Sequence, residues 1–211
     1  MLLLIDLDDT IYLERDYVLS VYRSIASLLT PEHANEAYQY LEYEFFKYGR
    51  RGLLDRWRKI HQLPLELNKL IDIYRSTTPT ITLDPDTRTI LEKLTAAHTT
   101  ILVTDGSPIV QHKKIEALGL SSLFDSLFIC QEHGLTKPDK DLLLKLLNQY
   151  GAMREECFVI GDDPYADINP AFEAEIQSIR IRCGRFESIS NDHKPTYEYS
   201  NLTDITEVID V

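Results

Sequence analysis

Residues 2–7, Leu-Leu-Leu-Ile-Asp-Leu, form a short apolar run suited to a strand buried on both faces, and Asp8, Asp9 and Thr10 end it. From Arg15 to about Arg75 the rhythm changes. Val18, Val21, Ile25 and Leu28 recur at three- and four-residue steps, as do Ala34, Ala37, Tyr38, Leu41 and Phe45, the spacing of one helical face. The pattern breaks at Tyr48-Gly49-Arg50-Arg51-Gly52 and resumes near Leu53. Pro64 suits a first helical turn, with Leu67, Leu70, Ile71 and Tyr74 on one side. This stretch reads as a bundle of three or four helices.

After Thr82 strands and helices alternate. Ile101-Leu102-Val103 is a buried strand, and Ile109 to Leu118 a helix stopped by Gly119. Leu127–Cys130 is the next strand, and Asp141 to Tyr150 the next helix, closed by Gly151. Cys157–Ile160, a helical Pro170–Glu175 and a last strand Ile179–Ile181 follow; from Arg185 the chain is polar until Ile205 and predicts no element. Such alternation implies parallel strands joined by right-handed crossovers. The expected fold class is therefore α/β: a parallel-sheet, Rossmann-like three-layer core over residues 1–12 and 83–211, interrupted by an all-helical insert over 13–82.

Composition fits that reading. With 211 residues, 44% hydrophobic and 27% charged, the chain has material for one core with one inserted subdomain. The net charge of −12 argues against a nucleic-acid duplex as partner, since duplex binding rests on a basic face. The charge is uneven. The stretch from Leu13 to Thr82 holds 10 basic and 9 acidic residues, the remainder 12 and 25. A near-neutral, arginine-containing insert beside an acidic body suits a small anionic substrate and a bound cation. Cys130, Cys157 and Cys183 sit in apolar runs and read as buried, reduced thiols. Asp6 interrupts the apolar start, and no run approaches bilayer length. The expectation is a cytoplasmic protein without a membrane partner.

In an open parallel sheet, ligands gather beyond the carboxyl ends of the strands. Strand one delivers Asp6, Asp8 and Asp9, and strand two Thr104, Asp105 and Gly106. The loop after strand three holds Thr136, Lys137 and Pro138; strand four delivers Gly161, Asp162, Asp163 and then Asp167. So many acids at close range repel one another unless protonated or neutralised. A divalent cation is the simple remedy, and hard oxygen ligands at this density favour magnesium. The lysine and hydroxyl on the same rim point to a phosphoryl group as the third party.

These residues carry a resemblance. Asp6-Leu7-Asp8-Asp9-Thr10 is similar to the DxDxT signature of the haloacid-dehalogenase-like phosphatase superfamily. Thr104, Lys137-Pro138 and Gly161-Asp162-Asp163-Pro164-Tyr165-Ala166-Asp167 resemble its second, third and fourth motifs in order, and the insert stands where that superfamily carries its first type of helical cap. The resemblance implies a magnesium-dependent phosphatase acting on a small-molecule phosphate ester. Asp6 would attack phosphorus and form an aspartyl-phosphate. Asp8 would protonate the leaving oxygen and later take a proton from water. Asp6, Asp162 and the backbone carbonyl of Asp8 would hold magnesium. Thr104 and Lys137 would bind the phosphoryl oxygens, with Asp163 or Asp167 behind them orienting Lys137 or a metal-bound water. The choice of metal ligand among Asp162, Asp163 and Asp167 stays open. Asp105 departs from the asparagine often found after the second-motif threonine, and only its backbone N–H is expected to matter.

Substrate choice is expected from the insert. Lys47-Tyr48-Gly49-Arg50-Arg51-Gly52-Leu53 resembles the YG…RGL stretch in caps of pyrimidine 5′-nucleotidases, and Asp8-Asp9-Thr10-Ile11-Tyr12 resembles their DNTLY start. That likeness implies Arg50 or Arg51 reaching an anionic or base-bearing substrate, a nucleoside monophosphate or a sugar phosphate; the alternative is a solvated turn. The six histidines show no ligand spacing and read as structural. A phosphomutase would use the same residues, and a non-enzymatic phospho-ligand binder would tolerate loss of Asp6 or Asp8. A P-loop nucleotidase needs GxxxxGK[ST] and a dinucleotide enzyme GxGxxG, and neither is present. The sequence leaves the oligomeric state undetermined.

Overall fold

The computed structural model describes residues 1–210 and divides the chain into two compact units, Met1–Glu14 with Thr82 onward, and Arg15–Ile81. The first unit is built on a six-stranded sheet, all of it parallel, in the order β3-β2-β1-β4-β5-β6. Its strands are β1 (Leu2–Ile5), β2 (Thr99–Thr104), β3 (Ser126–Ile129), β4 (Cys157–Gly161), β5 (Gln177–Ile181) and β6 (Tyr197–Tyr199). Side chains alternate across a strand. On one face Leu2, Leu4, Ile101, Val103, Phe128 and Val159 form a core with Leu142, Leu143, Leu146 and Leu147. Leu3, Ile5, Leu102 and Ile160, pointing the other way, are also fully buried. A strand covered on both faces has no polar side to show, which is why β1 reads as an unbroken apolar run.

The helices of this unit are α5 (Pro85–Ala97), α6 (Pro108–Ala117), α7 (Lys140–Tyr150) and α8 (Asn169–Glu173). Asp84 caps α5, accepting from the N–H groups of Asp86 and Thr87 with Pro85 opening the helix. That Asp-Pro start is a standard helix signal, although periodicity alone did not single the helix out. Asp139 caps α7 in the same way, and Gly151 ends it at φ 63°.

The second unit is entirely helical. It contains α1 (Glu14–Leu29), α2 (Ala34–Tyr48), α3 (Leu53–Ile60) and α4 (Leu67–Ser76). Tyr74 makes ring contacts with Tyr17 (edge-on) and Tyr22 (tilted), and Tyr22 meets Phe45 edge-on; Trp57 is fully buried. Two local expectations differ. Leu28, placed on the apolar stripe, is exposed in the last turn of α1. Pro64 does not open a helix, because the Leu65 N–H turns back to the Leu63 carbonyl at 2.8 Å and closes a tight turn of its own. Helix α4 begins only at Leu67. Among the described residues, no helix is long and apolar enough to cross a membrane.

The polar tail adds what the sequence did not predict: β6, paired with β5 from Ile179↔Tyr197 to Ile181↔Tyr199. Arg180 on β5 anchors this edge. It is 0% exposed. Its guanidinium donates to the carbonyls of Asp162 (3.1 Å), Phe186 (2.8 Å) and Ile189 (2.9 Å) and to Asn191 Oδ1 (2.7 Å). One side chain thus ties the loop of residues 184–191 to the tip of β4. Charge-assisted bonds of this kind are worth about 1.5–3 kcal/mol each when a buried partner is left behind. Arg180→Met is expected to lower stability by about 3 kcal/mol, read as a lower urea midpoint at unchanged slope. An unchanged midpoint would mean that water replaces the guanidinium without loss.

Candidate active site

The strand order places β1 between β2 and β4, so the chain departs to opposite sides of β1 and leaves a crevice at the carboxyl ends. Ile5 pairs with Ile160, and the Asp6 N–H continues the ladder onto the Ile160 carbonyl at 2.9 Å. Asp6 and Asp162 are thereby brought to one rim from strands about 150 residues apart by ordinary parallel pairing.

Beyond Asp6 the chain coils back on itself. Ile11 N–H bonds to the Leu7 carbonyl, and Asp9 adopts a left-handed φ of 54°, which aspartate tolerates better than most residues. The Asp9 carboxylate accepts from the N–H of Glu14 at 2.8 Å and of Arg185 at 3.0 Å. It caps the turn that follows, as expected, and also binds the loop after β5. Gly184 is required there, because a Cβ would collide with the Asp9 carboxylate. Cys183, half-buried rather than buried, donates its Sγ–H to the Asp9 carbonyl.

Lys137 occupies the centre. Its ammonium lies 2.6 Å from Asp6 Oδ1 and 2.8 Å from Asp167 Oδ1. Burial alone would favour loss of its proton, but the charges of Asp167 and Asp6 more than reverse that. Asp167 is returned to the rim by a wide turn over Pro164–Ile168, in which Ile168 N–H reaches the Asp163 carbonyl five residues back. Gly161 makes the close approach possible, since a Cβ there would overlap the Asp167 carboxylate. Asp163 uses Oδ1 to accept the N–H groups of Tyr165 and Ala166 and so caps this turn. It is Asp167, not Asp163, that touches Lys137.

Thr104 stands buried at the tip of β2, and its Oγ1 accepts from Gln111 Nε2 at 2.5 Å. Asp105 corrects an expectation. Its carboxylate, not only its backbone, takes part: Oδ1 accepts the Gly106 N–H at 2.7 Å and Oδ2 the Lys137 N–H at 3.3 Å. An acceptor-only side chain suffices, because both partners are backbone donors. Arg50 and Arg51 lie in the exposed turn between α2 and α3, in the all-helical unit.

The two aspartates of the first motif are held differently. Burial pushes the Asp6 carboxyl up to about 7, with the charges of Asp167 and Asp8 adding to that, despite Lys137 alongside. Burial would also raise Asp8, but the Lys114 ammonium and hydrogen bonds from Lys114, Tyr12 and Gln111 outweigh it and hold Asp8 below the usual carboxylate range. Asp162 is pushed up to about 10, first by burial and then by Asp6, Asp167, Asp9 and Asp163. Among the described residues no basic side chain forms an ion pair with Asp162.

One oxygen each from Asp6, Asp162 and Asp167 lies within 4.8 Å of the others. Four carboxylates, those of Asp6, Asp8, Asp162 and Asp167, here face two ammonium groups, Lys114 and Lys137. A divalent cation would offset the excess of acids, and the donors are the hard oxygens such an ion prefers. The residues fit a metal. Asp8 is not part of this cluster, its carboxylate being turned to Lys114.

Sequence reading missed Gln111, Lys114 and Tyr12. The first two stand three apart on α6, both nearly fully buried. Their three-residue spacing, on the helix that follows Thr104 after a short loop, was visible in the sequence, but their burial was not.

This arrangement has relatives. Residues 3–181 match the model of the haloacid dehalogenase-like hydrolases. The chain is 30% identical over 108 residues to a glyceraldehyde 3-phosphate phosphatase of Methanocaldococcus jannaschii, covering 51% of this chain and 47% of that protein. It is 32% identical over 83 residues to a phosphoserine phosphatase of Thermus thermophilus, covering 39% and 33%. The matched regions thus span about half, or less, of these curated relatives. Among solved structures, the magnesium-bound HAD-hydrolase YfnB of Bacillus subtilis superposes with a TM-score of 0.72 at 19% identity, over 100% of this chain and 98% of that one. With the family match running from β1 through β5, the chain belongs to the haloacid dehalogenase-like hydrolases.

Proposed function

We propose that this protein is a magnesium-dependent phosphatase that hydrolyses a small phosphate monoester through an aspartyl-phosphate on Asp6. One observation carries the reading: Asp6, Asp162 and Asp167 converge on a single volume with one shared ammonium, Lys137, and too little positive charge. Such a site is completed by a cation and by an anion whose oxygens that cation can share. The relatives named above are phosphatases of small phosphorylated metabolites, which supports the same substrate class here.

In the proposed reaction an Asp6 carboxylate oxygen attacks phosphorus, the ester P–O bond breaks, and the leaving oxygen takes a proton from Asp8. A water then attacks the phosphorus, gives its proton to Asp8, and the bond to Asp6 breaks. The products are the alcohol and inorganic phosphate, with both aspartates restored. The Thr104 hydroxyl, whose oxygen already accepts from Gln111, has its hydrogen left to donate to a phosphoryl oxygen. Lys137 offsets charge as the transition state forms. Magnesium, held by Asp6, Asp162 and the Asp8 carbonyl, would neutralise the meeting of an anionic nucleophile with an anionic substrate. Asp8 gains its proton in the loaded site, where an adjacent phosphoryl group raises its proton affinity. Arg50 and Arg51 are proposed to bind the rest of the substrate.

Asp6→Asn is expected to abolish release of free phosphate from an aryl phosphate while leaving circular dichroism unchanged; wild-type turnover by this variant would remove the nucleophile assignment. Stoichiometric release of phosphate by the wild type separates hydrolysis from phosphoryl relocation within the substrate. Chelation is expected to stop the reaction and magnesium to restore it. At about 100 times Kd a ligand stabilises the fold by about 2.7 kcal/mol, roughly 5–10 °C in Tm for a chain of this size. Asp162→Asn is expected to lose that magnesium-induced shift. Gly161→Ala, by displacing Asp167 from Lys137, is expected to lower kcat/KM by about 10²-fold; full activity would show that Asp167 need not approach so closely.

A further inference from the structure

The Asp8 carboxylate is gripped more completely than any other group in the site. Lys114 Nζ lies 2.8 Å from Oδ1 and 2.7 Å from Oδ2. Tyr12 O–H donates to Oδ1 at 2.7 Å, and Gln111 Nε2 to Oδ2 at 3.1 Å. Lys114 is 2% exposed, so its whole side chain runs through the interior of the unit. The Asp8 side chain keeps 23% of its surface open. The donors therefore hold one side of the carboxylate and leave another accessible.

A buried ion pair of this kind is weak evidence for stability, because desolvation offsets most of the attraction. What it does supply is direction. Each carboxylate oxygen is bound both by the ammonium and by a second donor, which fixes the orientation of the group about its side-chain torsions. In the proposed reaction that orientation matters. A proton donor must meet the leaving oxygen on the side of phosphorus opposite Asp6, and an error near 1 Å costs about 10²-fold.

Resting on the phosphatase reading above, we propose that Lys114 is a positioning residue, aiming the Asp8 carboxylate at the leaving oxygen from α6. The proposed effect on the reaction passes through Asp8. The consequence is a dependence on the leaving group. An alkyl phosphate needs a proton on its departing oxygen; 2,4-dinitrophenyl phosphate does not, because its phenolate is stable as an anion. A residue that serves the phosphoryl group, or the fold, affects both esters alike.

The experiment measures kcat/KM for an alkyl phosphate and for 2,4-dinitrophenyl phosphate in the wild type, Lys114→Met, Asp8→Asn and the double variant. Lys114→Met is expected to lose about 10²-fold on the alkyl ester, within the usual range for acid–base catalysis. On the dinitrophenyl ester it should stay within about twofold of wild type, and in the Asp8→Asn background it should add no more than about twofold on either ester. Equal losses on both esters, no loss on either, or a full further loss in the Asp8→Asn background would each overturn the inference. Should Lys114→Met fail to fold, the double variant, which removes both charges, still reports the last of these against Asp8→Asn. A wild type inert towards both esters would instead overturn the phosphatase reading on which the inference rests.

Discussion

Too much negative charge in too little volume is the constraint from which the site follows. Three carboxylates meet at the junction of β1 and β4, and the Lys137 ammonium touches two of them. Parallel pairing forces the meeting, since the register that buries Leu4 and Val159 side by side also brings Asp6 and Asp162 to the same rim. The apolar core therefore holds the acids together against their repulsion, which a bound cation would relieve. The smallest side chain available, Gly161, and a turn opened by one extra residue let Asp167 reach the same point.

The loops around this cluster are fixed by groups that perform no chemistry in the proposed reaction. Asp9 ties the start of α1 to the loop after β5, Asp105 ties the tip of β2 to the Lys137 backbone, and Arg180 ties the Asp162 carbonyl to residues 186–191. In each case a charged side chain, buried for Asp9 and Arg180 and half-buried for Asp105, satisfies backbone groups that no ladder reaches. The region beyond the family match, with β6 at the sheet edge, thus bears directly on the position of the strand-tip acids.

Much of this was legible in the sequence, and unevenly. Buried strands announce themselves as apolar runs, and the acids after them stand out because a carboxylate next to a core strand is costly unless used. What was not legible depended on partners distant in sequence. β6 is three residues of Tyr-Glu-Tyr whose strand character comes from pairing with β5. Asp105 looked like a backbone position because the Lys137 N–H it accepts lies 32 residues away. Lys114, among the polar residues of α6, resembles any surface lysine until the fold turns it inward. Helix α5 was a different failure, since its Asp84-Pro85 start was in plain view and only the weight placed on periodicity hid it.

The opposite treatment of Asp6 and Asp8 then has a single explanation. Two identical side chains, two residues apart, are pushed in opposite directions, Asp6 up and Asp8 down. The difference lies in their neighbours: Asp6 shares its ammonium with Asp167, whereas Lys114 faces Asp8 with both its oxygens. In the proposed reaction the nucleophile is ionised and the acid protonated, opposite to the directions in which their protein neighbours push these two groups. A cation among the three carboxylates favours ionised Asp6, and a phosphoryl group beside Asp8 favours its protonation. In the proposed reaction a cation and a phosphoryl group would thus each offset the push that the protein's own neighbours give one of the two aspartates.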